Sequence, residues 1–184
     1  MRIEGFPQRV RERSGRIGVA LALAVLCGAS IAAVSVVIVG TGTIPYFEEF
    51  QGPATATVVD ATYAPGEQVP WHYHPGPGYV IVMQGSITNQ EPCGGATTYT
   101  AGQAFAEEGG HIHRAIPSAT ESTRILFISV VPQGSPRTIP VDTPLCVGPP
   151  TAPAECDGDG WKEFTVPRLF KNQGECVRYT QIGR

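Results

Sequence analysis

Apolar and polar positions follow two regimes along the chain. From Ile17 to Gly40, in IGVALALAVLCGASIAAVSVVIVG, nearly every position is apolar or small, and no charged side chain occurs between Arg16 and Glu48. At about 1.5 Å per residue such a run spans the roughly 30 Å hydrocarbon core of a bilayer, which predicts one transmembrane helix over 17–40. The run exceeds the roughly 7–15 apolar residues of a signal peptide, so an uncleaved anchor is expected. Further on, short runs such as TATVVDATY, YVIVMQ and RILFISVV alternate with Gly- and Pro-bearing turns. That punctuation predicts a mainly β domain of many short strands.

Charge orients the two regimes. Arg2, Arg9, Arg11, Arg13 and Arg16 face only Glu4 and Glu12 in the first sixteen residues. A basic segment over 1–16 before an apolar span stays cytoplasmic, so the rest of the chain is expected outside the cytoplasm of a single-pass membrane protein, with lipid as its partner along 17–40. From Pro45 onward eight Lys and Arg stand against fourteen Asp and Glu, a balance of -6. A domain this acidic offers no basic stripe to a phosphate backbone, and no nucleic-acid partner is expected. Cys93, Cys146, Cys156 and Cys176 form an even set in a compartment that favours disulfides. Four cysteines permit three pairings, and spacing does not choose among them.

The four histidines fall in two short clusters, His72 with His74 and His111 with His113. Residues i and i+2 of a strand share a face, so each cluster can present two imidazoles to one cation. Glu107 and Glu108 precede the second cluster, and strand alternation turns one of them inward, where it could act as a fourth ligand or a base. No arginine or tyrosine can be assigned to a ligand from spacing alone.

Together the segments GEQVPWHYHPGPGYVIVMQG and AGQAFAEEGGHIHRAIP resemble the paired motifs of the cupin superfamily. Gly66, His72, His74 and Gly85 fit the first motif, with Gly78 where its glutamate stands. Gly102, Gly110 and His113 fit the second, with Glu108 and Pro117 in place of its proline and asparagine. By position the resemblance makes His113 the third metal ligand after His72 and His74, and leaves His111 as an alternative ligand or a group supporting one. Trp71 to Pro77, Cys93, Tyr99 to Phe105, Gly109 to His113 and PVDTPLC further resemble small single-domain cupins common in actinobacteria. That likeness implies a Cys93–Cys146 disulfide. The tail, from Cys156 through Gly160 and Trp161 to FKNQGECV, is similar to a terminal motif of secreted actinobacterial proteins and implies a Cys156–Cys176 disulfide closing a small hairpin or cap. The implied organisation is a cupin jelly-roll β-barrel over 45–146, followed by a Pro/Gly-rich linker and disulfide-closed motif over 147–184.

A three-histidine cupin site implies one divalent transition metal, with Fe, Zn, Cu, Mn and Ni all compatible with imidazole ligands. Without a carboxylate at Gly78, the metal would keep an open face for water, dioxygen or an anionic ligand. Three-histidine cupins include the thiol dioxygenases, so an oxygenase acting on a small molecule is one expectation. A non-catalytic cupin scaffold, serving as accessory subunit or ligand-binding module of a membrane protein complex, is the other, because the fold hosts both kinds of protein. Whether the chain is an enzyme stays open at this point.

Overall fold

The computed structural model describes residues 34–183. In chain order its elements are β1 (Ser35–Phe47), β2 (Gly52–Tyr63), β3 (Val69–Tyr73), β4 (Gly78–Gln84), β5 (Ser86–Gln90), β6 (Ala96–Thr100), β7 (Ala104–Glu107), β8 (His113–Pro117), β9 (Thr123–Pro132), β10 (Ile139–Pro140) and the helix α1 (Gln173–Ile182). Two five-stranded sheets form, in the orders β1-β2-β9-β4-β7 and β10-β3-β8-β5-β6, and every pairing is antiparallel. Period-two alternation explains the core: along β9 the residues Thr123, Ile125, Phe127, Ser129 and Val131 are buried while their neighbours are not. Val59, Ala61, Val80, Val82, Ile87, Ile125 and Phe127 fill the space between the sheets. Each large member, fully buried, contributes about 1.5–3 kcal/mol.

The chain passes from one sheet to the other at Gly85, which sits at φ +71° between β4 and β5. A Cβ there would stand 2.6 Å from the Ser122 carbonyl oxygen, so glycine is required both by conformation and by space.

The helix expected over 17–40 lies, for residues 17–33, outside the described residues. Its last part is corrected: Ser35–Gly40 begin β1, which pairs with β2 from Ser35↔Thr62 through Ile38↔Val59 to Ile44↔Ala54. Val36, Val37, Ile38 and Val39 are β-branched and suit a pleated ladder, and the β2 edge gives their backbone groups partners. The barrel thus starts before the expected boundary at 45. Among the described residues no helix is long and apolar enough to cross a membrane.

Cys93, in the turn between β5 and β6, is bonded to Cys146, in the extended segment after β10, and Cys156 is bonded to Cys176 of α1. In the tail, the disulfide-closed motif is built from helical turns and α1, not from a hairpin. Asn172 caps α1, its side chain accepting from the Glu175 N–H at 2.9 Å, while Glu175 reaches back to the Lys171 N–H at 2.6 Å. Cys156, Cys176 and Phe170 are buried together, packed by Trp161, Phe164, Val177 and Tyr179. The Cys93–Cys146 bond closes a sequence separation of 53, worth about 4 kcal/mol of unfolded-state entropy. The double variant Cys93→Ser/Cys146→Ser should therefore melt about 8–16 °C lower, and an unchanged calorimetric Tm would show that the crosslink does not constrain the unfolded chain.

Candidate metal centre

β3 and β8 lie side by side in the second sheet, and His72 is the cross-strand partner of His113. His74 follows directly after β3. All three rings are buried, with exposures of 7% for His72, 3% for His74 and 1% for His113. Ring centroids are 4.4 Å apart for His72–His113, 5.0 Å for His72–His74 and 5.3 Å for His74–His113. One nitrogen from each ring lies within 4.8 Å of the others.

The outer side of each ring is committed to the backbone. His72 Nδ1 donates to the Pro70 carbonyl at 2.7 Å, His74 Nδ1 to the Arg137 carbonyl at 2.7 Å, and His113 Nδ1 to the His111 carbonyl at 3.0 Å. A carbonyl only accepts, so Nδ1 carries the proton and Nε2 is left to the interior, the tautomer a metal ligand needs.

A carboxylate joins them. Glu107, at the end of β7, is 5% exposed, and its Oε1 is 3.1 Å from His113 Nε2 while its Oε2 is 3.3 Å from His74 Nε2. Glu107 Oε2 is buried without a hydrogen-bond partner. Glu107 reaches the site because its cross-strand partner is Gly78. A Cβ at Gly78 would be 2.6 Å from Phe127 Cε2 and 3.2 Å from Glu107 Oε2. The space beside position 78 is thus filled by the carboxylate of the neighbouring strand, and of the two glutamates before the second histidine cluster it is Glu107 that turns inward.

Electrostatics follow this packing. Burial opposes ionisation of Glu107, but the imidazoles of His113 and His74 outweigh it and hold the carboxyl well below the usual range. Burial also disfavours a charged His113, yet Glu107 outweighs that and raises its pKa. His72, buried and without such a partner, is pushed down to about 4. A cation held by the three imidazoles and Glu107 would satisfy the carboxylate oxygen that has no hydrogen bond. These donors fit a divalent transition metal.

Two of the singled-out residues lie elsewhere. His111 precedes β8 instead of lying within it, so it does not share a strand face with His113; its Nε2 is 3.6 Å from Glu91 Oε1. Glu108 points outward, 73% exposed, and pairs with Arg168 at 3.0 Å. Conversely, a cavity of about 130 Å³ adjoins the three histidines and Glu107, and Tyr63 and Arg137 line it together with Thr138 and apolar core side chains. Sequence reasoning missed both. Tyr63 ends β2, but Arg137 lies on the irregular segment before β10, and only its carbonyl's bond to His74 reveals the connection. A wider groove of about 700 Å³, lined by Glu49, Glu108, Arg168, Lys171 and Arg178 among others, lies apart from the histidines. There Arg168 is paired with Glu108 and Glu175, and Lys171 with Glu49.

Among known structures the chain is similar to an uncharacterized conserved protein with a double-stranded beta-helix domain from Klebsiella pneumoniae subsp. pneumoniae MGH 78578, at 19% identity over 61% of this chain and 89% of that one, TM-score 0.46. It is similar to a cupin-like protein from Thermotoga maritima at 22% identity over 59% and 75%, TM-score 0.47. A polyketide cyclase from Streptomyces resistomycificus shares 17% identity over 57% and 75%, TM-score 0.42. No curated protein sequence matches the chain. Residues 59–129, the stretch that carries His72, His74, Glu107 and His113, match the family model described as Cupin domain, and this match supports the cupin superfamily for that part of the chain.

Proposed function

We propose that the protein is a membrane-anchored, extracytoplasmic cupin-domain protein that holds one divalent transition metal through His72, His74 and His113, with Glu107 as the fourth donor, and binds a small molecule in the adjoining cavity. The observation that carries the metal reading is the buried Glu107 Oε2, left without a hydrogen bond beside three imidazoles whose Nδ1 atoms are all taken by backbone carbonyls. An unsatisfied buried carboxylate oxygen costs stability unless a cation completes it. Bound there, the metal would supply Lewis-acid chemistry or an electron source for dioxygen, the latter making the protein an oxygenase. The chain's own residues exclude water through the apolar wall, orient the imidazoles through the backbone and set the charge of the site. The anchor is read from the apolar run and its basic flank, with membrane lipid as the partner.

A second reading, a non-catalytic scaffold or accessory subunit of a membrane protein complex, is favoured by the tail. It forms a small core of its own and adds no side chain to the cavity. Elemental analysis of the full-length protein separates the two. One metal per chain is expected, with the neutral isostere Glu107→Gln weakening affinity at least about tenfold as the charge-assisted contact is lost. A folded protein without metal would leave only the scaffold.

A further inference from the structure

Arg137 lines the cavity, yet among the described residues its guanidinium has neither an acidic partner nor a hydrogen bond, although the residue is partly buried. Three other arginines are engaged: Arg124 with Asp60, Arg168 with Glu108 and Glu175, and Arg114 with Gln90 and the Trp71 ring. The fixed anion of the cavity, Glu107, is already occupied by His74 and His113. Near Arg137, then, a cation lacks a counter-charge, and partial burial makes that costly. Tyr63 lies in the field of both Glu107 and Arg137, and burial followed by Glu107 raises its pKa, so its hydroxyl stays a donor. Apart from Thr138, whose hydroxyl lies 3.5 Å from His74 Nδ1, the rest of the wall is apolar: Val59, Val80, Ile87, Ile125 and Phe127 offer contact area and no hydrogen bonds. A cavity of about 150 Å³ with such a lining accepts a benzene-sized molecule, and this one measures about 130 Å³.

We propose that the cavity binds a short apolar carboxylate of up to about six non-hydrogen atoms, its carboxylate held by the Arg137 guanidinium and its hydrocarbon lying against Ile125, Phe127 and their neighbours. The proposal rests on the reading of this cavity as the protein's ligand site. Sugars are excluded because the wall leaves their hydroxyls unpaired, and nucleotides because of their size. A guanidinium matches a carboxylate in a bidentate fork, which the amide of the same acid cannot reproduce.

Calorimetric titration of full-length protein loaded with zinc tests this, with metal content measured on the same sample. Butyrate should bind at least about tenfold more tightly than butanamide or butylamine, and Arg137→Gln should remove that preference while keeping the metal. The variant leaves the Arg137 carbonyl, and so the support of His74, in place; Arg137→Lys should retain part of the preference. Equal binding of butyrate and butanamide, or undiminished butyrate binding by Arg137→Gln, would overturn the proposal. Zinc-loaded protein that ignores butyrate would overturn it too, while leaving the metal reading intact. A protein that retains no metal but binds butyrate through Arg137 would sink the metal reading and support this one.

Discussion

His113→Ala is expected to abolish stoichiometric metal binding and to destabilise the fold, whereas His111→Ala does neither. The His113 ring is 4.4 Å from that of His72, and its Nε2 is 3.1 Å from Glu107 Oε1. Alanine there removes one donor and takes the His113 imidazole away from the Glu107 carboxylate. Breaking a buried ionic pair from one side costs about 3–5 kcal/mol, which at this chain length lowers Tm by about 6–20 °C. His111 supplies only its carbonyl to the site, through the bond from His113 Nδ1, and alanine keeps that carbonyl. Elemental analysis beside a thermal melt reads both effects. A His113→Ala protein with a full complement of metal, or a His111→Ala protein without it, would refute this assignment of the donors.

Restoring a glutamate at the motif position should harm the protein. Even the methyl group of Gly78→Ala enters space held by Phe127 Cε2 at 2.6 Å, in a buried side chain whose ring lies 4.8 Å from that of His74. Phe127 cannot retreat without pressing on His74 or opening the core, so a cost of about 1–3 kcal/mol follows, or about 2–12 °C in Tm. Gly78→Glu adds a second carboxylate beside Glu107 Oε2, and two like charges in one buried site force one to stay protonated. Its metal affinity should fall below that of the wild type, while Gly78→Glu combined with Glu107→Gly should recover part of it by leaving one carboxylate. A Gly78→Glu single variant that binds metal more tightly than the wild type would show that Glu107 does not occupy this role.

Strand alternation, turn glycines and the His72/His74 pair were legible because they are local. RILFISVV alternates along the chain just as β9 does in the sheet, and Gly85 marks the turn at which the chain changes sheets. The start of α1 was legible too: Asn172 followed by Glu175 is a helix-start signal, which a reading of the tail as a hairpin or cap left unused. The end of the apolar run was not. Val36 to Val39 suit a membrane helix and a strand alike, and their pairing with β2 is a long-range fact.

The sequence alone determined a mainly β domain and two histidine clusters, because side-chain periodicity and turn conformation depend on near neighbours. Only the tertiary structure decided which residues surround the rings. The β4–β7 register sets Glu107 opposite Gly78, the turn before β8 directs His111 toward Glu91, and the segment before β10 brings Arg137 to the cavity. A carboxylate can be absent from its motif position and still present at the centre, because strand pairing joins residues that no spacing along the chain relates.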